Sequence, residues 1–265
     1  MGVVSGQAEA SQPPHPLQLL RPHWPAPAWV GAAVSLREGG VSAPPFASLN
    51  LAAHVGDDPA AVAENRRRLH AALALRSEPL WLSQRHGVEV VDADGWRVGA
   101  GPPVGDVAIT RRSGRVLAVL VADCLPVLLA RYDGTAIAVA HAGWRGLAAG
   151  VLEASVTALG GPAQPVHAWL GPVIGPGYFE VGEEVRSAFS QLGRSADAAR
   201  AFELNARGRW QCDLYALARW RLKAFGVSSV HGERRCTYAL AQSFYSYRRE
   251  GLTGRMAALI WLDPH

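Results

Sequence analysis

The sequence predicts an α+β fold in a single domain, and three observations carry that prediction. Apolar β-type segments come in consecutive runs instead of alternating one for one with helices, which favours antiparallel pairs layered against helices. No Gly-x-Gly-x-x-Gly follows a strand, so a dinucleotide-binding fold is not expected. Between residues 27 and 263 there is neither an internal repeat nor a low-complexity linker, and 265 residues fit one large domain at roughly 100–200 residues per domain. With 49% apolar and 18% charged residues, the chain can fill a core and does not read as disordered overall.

The elements follow in order. Residues 1–25, polar and proline-rich at the start, read as a flexible leader, and residues 26–265 as one catalytic domain. AWVGAAVSLR (28–37) is a first strand, and GGVSAPPFASLN is a loop dense in Gly, Pro and Ser. Asp57-Asp58-Pro59 opens a helix over about 59–75, with a capping aspartate and a proline at the first helical position. WLSQRHGVEVVDA gives a strand, a glycine turn and a second strand. DVAIT, RVLAVLVAD, PVLLARY and TAIAVAHAG are four apolar β segments parted by turns such as Ser113-Gly114 and Asp133-Gly134. Gly143–Leu159 reads as one helix, HAWLGPVIG as a strand running into a Gly/Pro loop, and VGEEVRSAFSQL as a helix. DLYALARWRLKAF is an amphipathic helix ended by Gly226; SSVHG and AALIWL close the chain as strands.

Composition removes several function classes. Of 26 basic residues only Lys223 is lysine, so no P-loop lysine follows a glycine-rich turn, and Schiff-base chemistry would depend on Lys223 alone. The net charge of +4 comes from scattered arginines with no basic arm, which suits small phosphorylated or carboxylated ligands better than nucleic acid. Three cysteines do not make a disulfide scaffold and suggest a reducing compartment. The N-terminus has no apolar signal region, and the most apolar stretch, 116–130, is broken by Asp123 and Pro126. The expectation is a cytoplasmic protein without membrane attachment.

His86, Cys124 and His141 stand at turns after predicted strands, where a sheet can hold reactive groups rigidly. A hairpin about Asp133-Gly134 brings its two ends together and with them Cys124 and His141. Two imidazoles and one thiolate suit a zinc ion with a fourth position open. The same atoms also suit a metal-free thiol with His141 as base and Asp123 as orienter. A His₂Cys copper site would need an axial methionine, and only Met1 and Met256 exist; with nine histidines and no His-x-His pair, a multicopper centre is not expected. The local pattern also allows a buried cysteine between two ordinary histidines. Arg248, Arg249, Arg255 and Arg145 could hold an anion or be solvated loop charges. Asn50 could donate to a ligand or close a turn, and His54 reads as shaping the loop before the helix. Trp81, Trp169 and Trp210 read as packing, and Cys212 and Cys236 as buried thiols.

Seven segments, in order, resemble the signatures of one family: SLNLAAHVGDDPAAVAENRRRL, WLSQRHGVEVVDAD, DVAIT, LAVLVADCLPVLLA, AVAHAGWRGLAAGVL, AWLGPVIGPGYFEVGEEV and CTYALAQSFYSYRREGLTGRMAALIWL. This is the purine nucleoside phosphorylase family once called polyphenol oxidase or laccase-domain proteins, whose bacterial members are also described as peptidoglycan editing factors. The resemblance covers residues 28–263, with HAGWRG and ADCLPVL its most specific parts. It implies a layered α/β sandwich with central mixed sheets, similar to toxin-type cysteine deamidases. It implies zinc held by His86, Cys124 and His141, and places Arg248 and Asn50 at the substrate. Asp123 is the expected metal-adjacent acid or base, beside Cys124 and His141. Ala52 stands where a glycine is common, and Arg85 where an apolar residue is common. The activities implied are phosphorolysis of adenosine, inosine and methylthioadenosine and deamination of adenosine, with purine nucleoside and phosphate as partners. Alternatives are a hydrolase editing wrongly aminoacylated UDP-muramyl precursors, a copper-dependent phenol oxidase, and a non-catalytic module with structural zinc. A monomer or small homo-oligomer is expected.

Overall fold

Two mixed β-sheets stack face to face at the centre, with helices covering both outer faces. The computed structural model describes residues 17–97, 99–192 and 196–264. The first sheet runs in the order β1 (Leu19–Leu20), β2 (Val30–Ser35), β14 (Met256–Leu262), β6 (Val116–Val121) and β3 (Leu80–Trp81). The second runs β13 (Ser229–His231), β9 (Val166–Leu170), β7 (Leu125–Arg131), β8 (Ile137–Ala142), β5 (Val107–Thr110) and β4 (Val90–Asp92). Most neighbours are antiparallel, while β3 on β6, β4 on β5 and β13 on β9 are parallel. The α+β layering expected from the sequence is what the chain forms.

Alternation along each strand sorts the core into layers, because successive side chains point to opposite faces of a sheet. Leu117 and Val119 of β6 meet Leu128 of β7, Val139 of β8 and Trp169 of β9 between the sheets. Ala118 and Leu120 face outward against Leu69 and Leu73 of α1 (Pro59–Leu73). On the far side, Val127 and Leu129 pack on Leu152 and Val156 of α3 (Val151–Ala158) and on Leu217 and Leu222 of α6 (Leu214–Ala224). Both faces of the inner strands are therefore buried, which is why β6, β7 and β8 read as unbroken apolar runs.

Local signals act as read. The Asp58 side chain accepts from the Ala60 N–H with Pro59 in the first turn, and Asp213 caps α6 through the Ala216 N–H. The β7–β8 hairpin forms, turning at Asp133 and Gly134. The helix expected over 143–159 is instead two helices, α2 (Trp144–Ala149) and α3. Gly150, at φ 103°, occupies a left-handed conformation that no right-handed helix continues through. A three-stranded sheet, β10 (Glu180–Val181), β12 (Trp210–Cys212) and β11 (Phe202–Leu204), has no counterpart among the elements expected from the sequence; its strands are two or three residues long, too short for an alternating pattern to stand out. The remaining helices are α4 (Glu183–Ser190), α5 (Ala196–Ala199) and α7 (Tyr247–Glu250). Of the expected leader, residues 1–16 lie outside the described residues. Leu19 and Leu20 already pair with Ser35 and Val34, so sheet structure begins before residue 26. Among the described residues no helix is long and apolar enough to cross a membrane.

One topological feature positions the site. β6 and β7 are consecutive but belong to different sheets, and Ala122-Asp123-Cys124 carries the chain from one sheet to the other. Leu128, fully buried between those sheets, reports on their docking. Leu128→Ala is expected to lower unfolding stability by about 2–5 kcal/mol, as measured by urea denaturation.

Candidate metal centre and active site

His86, Cys124 and His141 come together. Their ligand atoms all lie within 4.8 Å of one another, and among the described residues theirs is the one group of His, Cys, Asp or Glu side chains able to hold a metal. The hairpin register pairs Leu125 with Ala142 and Pro126 with His141, which sets Cys124 beside His141. The two imidazole rings meet edge to face at 4.8 Å, and the Cys124 Sγ stands 3.8 Å from His86 Nε2. Gly143 closes over the group. A Cβ there would come within 2.8 Å of the His86 ring and 3.0 Å of the Cys124 sulfur, so the position has room for glycine alone.

A buried carboxylate that the sequence did not single out assembles the group. Asp106 Oδ1 accepts from His141 Nδ1 at 2.8 Å and from the His86 N–H at 3.0 Å. Its Oδ2 accepts from the N–H groups of Gly87 and Arg85, at 2.8 and 3.0 Å. Three successive backbone donors thus converge on one carboxylate and hold His86 at φ 60°, uncommon for a residue with a Cβ. Burial pushes the Asp106 carboxyl up, but the His141 bond and the backbone donors outweigh it and bring its pKa down to about 2. An ionised carboxylate only accepts, so His141 donates through Nδ1 and turns Nε2 to the cavity.

Cys124 and His141 titrate as a pair. Burial opposes charge on both, yet the Cys124 thiol is lowered by His141 and His86, and the His141 imidazole is raised by Cys124 and Asp106. A thiolate facing two imidazoles, one with a carboxylate behind it, is a donor set that fits a transition-metal ion such as zinc. Copper with an axial methionine fits less well. Met256 is fully buried in β14 and its Sδ accepts the Tyr245 N–H at 3.1 Å, and Met1 lies outside the described residues.

The group opens into a cavity of about 1120 Å³. Trp81, Trp144, Phe179 and Tyr247 offer it aromatic walls, and Arg66, Arg85, Arg145, Arg248 and Arg255 line it. Arg66 lies over the Trp81 ring at 4.2 Å. Burial depresses the Arg255 guanidinium, and the charges of Cys124, Tyr247 and Asp123 partly restore it, which places Arg255 near the sulfur. His54 also faces the cavity; burial, then Arg255 and Arg66, hold its imidazole below the usual range, so it does more than shape a loop.

Two expected site residues do other work. Asn50 is fully buried and uses every hydrogen-bonding atom inside the protein. Its Nδ2 donates to the Ala52 carbonyl and to Asp57 Oδ2, and its Oδ1 accepts the N–H groups of Ala52 and Arg255. It is absent from the cavity lining and acts on the site through Arg255, whose backbone it holds. Asp123, at φ 89°, directs its carboxylate away from acid–base work. Oδ1 accepts from Thr237 Oγ1 at 2.6 Å, and Oδ2 from Ser246 Oγ and the Arg248 N–H at 3.0 and 2.7 Å. Arg248 lines the cavity, its guanidinium on the Glu180 carbonyl. Arg249 instead ties the carbonyls of Thr237, Tyr238 and Phe244. Cys212 is buried as read, whereas Cys236 is half-buried, its sulfur accepting two backbone N–H groups. The Ala52 departure falls in the interior beneath Arg255, and the Arg85 departure falls on the cavity rim.

Fold and site together define an α+β single-domain protein whose two-sheet core presents a His–Cys–His group able to hold a metal ion to an arginine-rich cavity. Residues 31–263 match the family described as multi-copper polyphenol oxidoreductase laccase, and the chain belongs to that family. It is 54% identical over 245 residues to a purine nucleoside phosphorylase of Pseudomonas aeruginosa, covering 92% of this chain and 98% of that one. It is 49% identical to purine nucleoside phosphorylase YfiH of Escherichia coli, covering 92% and 99%. Among solved structures it superposes on a Neisseria meningitidis protein with a TM-score of 0.87 at 45% identity, covering 93% and 99%. YlmD of Geobacillus stearothermophilus gives a TM-score of 0.85 at 31% identity, covering 95% and 100%.

Replacing the assembling carboxylate tests this architecture. Asp106→Asn keeps the shape but sets an amide N–H₂ against backbone donors. Metal affinity, read by competition with a chelator of known strength, is expected to fall roughly 10–100-fold.

Proposed function

We propose that the chain is a zinc-dependent purine nucleoside phosphorylase. It cleaves adenosine, inosine and methylthioadenosine with inorganic phosphate to free base and the (methylthio)ribose 1-phosphate, and it also deaminates adenosine. One observation carries this reading: the His–Cys–His group shares a cavity with five arginines, none of which pairs with a carboxylate among the described residues. Relatives aligned over nearly the whole chain bear the name purine nucleoside phosphorylase.

His86, Cys124 and His141 would hold the zinc, which when bound would supply Lewis acidity toward an electronegative atom of the substrate. Asp106 fixes the direction of His141 and His86. Arg255, anchored by Asn50 and by the carbonyls of Thr253 and Gly254, stands with Arg66 to receive the phosphate dianion; guanidinium forks match its oxygens in pairs. His54 beside them, held neutral, can accept a hydrogen bond from a phosphate hydroxyl. The aromatic walls suit a flat purine, and Arg248 stands on the opposite side, its backbone held by Asp123. Asp123 is a positioning residue in this reading. Phosphate oxygen attacks C1′, the C1′–N9 bond breaks, and the departing purine takes the proton from phosphate. Most of the work done by the protein is then to orient and neutralise charge.

The test is a purified, metal-analysed protein assayed on inosine with and without phosphate. Hypoxanthine release is expected to require phosphate and to yield ribose 1-phosphate in equal amount. Arg255→Ala is expected to raise the KM for phosphate by about tenfold or more, as loss of a charged hydrogen bond does. Cys124→Ala is expected to lose bound zinc and with it most activity. Release of base without phosphate would mark a hydrolase, and full zinc and activity in Cys124→Ala would remove the site. Activity that follows added copper and not zinc would favour the oxidase reading.

A further inference from the structure

Beside the main cavity lies an annex of about 230 Å³ that the reaction above leaves without a role. The two share the wall formed by Trp144, Arg145, Phe179 and Arg248. That wall begins one residue after Gly143, where an added Cβ would crowd both His86 and Cys124. The annex therefore borders the reaction site across shared side chains. At about 30 Å³ for each water in the liquid, its volume holds several waters or one tetrahedral oxyanion.

Its charge is unbalanced. Arg145, Arg209 and Arg248 line it, and among the described residues none of the three forms an ion pair. Exposed arginines elsewhere, such as Arg67, Arg111 and Arg235, do pair with carboxylates. Two acids reach the annex. Glu180 is engaged by Arg207 and Asn205, which leaves Glu184 as the one unpaired carboxylate against three guanidinium groups. Two of the arginines are also held in place. Arg145 lies over the Trp144 ring at 4.4 Å and Arg248 over the Phe179 ring at 5.3 Å, and Arg248 donates to the Glu180 carbonyl at 2.9 Å. Stacking fixes the plane of a guanidinium and leaves its edge N–H groups to a ligand. The first turn of α4 borders the annex with Gly182 at its cap and no side-chain cap bond, so its N-terminal dipole adds to the same field.

We propose that this annex binds a phosphate ester carried by the substrate, so that the enzyme takes purine nucleoside 5′-phosphates as well as nucleosides. This rests on the phosphorylase reading, in which Arg66 and Arg255 hold the attacking phosphate and the second arginine cluster stays free. For inosine 5′-phosphate the step balances as in the simpler case. A phosphate oxygen forms a bond to C1′, the C1′–N9 bond breaks, and the proton of the attacking phosphate goes to the purine. The products are hypoxanthine and ribose 1,5-bisphosphate.

The experiment compares inosine and inosine 5′-phosphate on the zinc-loaded protein, by phosphorolysis and, separately, by calorimetric binding. The wild type is expected to bind the 5′-phosphate about tenfold or more tighter than inosine, the range of one or two charged hydrogen bonds. Arg209→Ala, a change on an exposed side chain outside the reaction site, is expected to abolish that preference while leaving inosine kinetics unchanged. Glu184→Gln is expected to enlarge the preference. Equal binding of the two ligands, or an unchanged preference in Arg209→Ala, would overturn the proposal. So would Arg209-dependent binding of inorganic phosphate alone with no preference for the 5′-phosphate, which would make the annex a free-phosphate site. If neither ligand releases base, the phosphorylase reading fails on the kinetic arm, while the binding arm still decides the annex.

Discussion

A single carboxylate holds the site together. Asp106 sits just before β5, fully buried, and joins two parts of the chain that no local interaction would bring together: the 85–87 loop and the end of β8. It contacts His141 twice, because its own carbonyl accepts the His141 N–H at 2.8 Å while its side chain takes Nδ1. A buried carboxylate in a low-dielectric interior is costly unless its acceptor capacity is filled. Here four donors fill it, and filling it requires the loop backbone to turn inward at His86 and the His141 ring to face the cavity. Burial cost and site geometry are therefore one constraint. The two histidines are set by the fold, and Cys124 needs only to arrive from the other side.

Cys124 arrives because the chain changes sheets. At the crossing between β6 and β7 the chain turns its corner with Asp123 at φ 89°. Such a conformation persists only where its surroundings over-determine it. Thr237, Ser246 and the Arg248 N–H supply that determination from the C-terminal segment. The corner aims Cys124 at the two histidines and also fixes the start of α7, which carries Tyr247 and Arg248 to the cavity. Of the three described non-glycine residues with positive φ, two, His86 and Asp123, lie at the site.

Charge follows the same division between structure and function. Across the surface, arginines neutralise nearby acids in short pairs that contribute little to stability when exposed. Around the cavity they are held by backbone carbonyls and aromatic rings instead, contacts that position a guanidinium without neutralising it. Positive potential concentrated in a walled cleft draws anions to it. The near-absence of lysine fits this arrangement, since a planar fork can be stacked and hydrogen-bonded to carbonyls and still present free N–H edges.

Much was legible in the residues alone. Strand runs, helix caps and the Asp133-Gly134 hairpin are local signals, and local physics decides them. The hairpin in particular foretold that Cys124 and His141 would meet, because two antiparallel strands of known turn have a fixed register. His86 was marked only by its place at a turn after a predicted strand, and spacing did not place it beside that pair. Asp106 gave no signal, since an acid ahead of a strand reads like any surface residue until the amides of Arg85, His86 and Gly87 and the His141 ring, 35 positions further on, are folded onto it. Asn50 and Asp123 turn away from the roles their residue types suggest for the same reason: residue type states how many hydrogen bonds a side chain can make, and only packing decides in which direction they are made. Sequence determined the repertoire of donors, acceptors and breaks in periodicity. The tertiary structure decided which of them face inward to hold the frame and which are left facing the cavity, because burial, acting across segments far apart in the chain, obliges each polar group to find its partner inside.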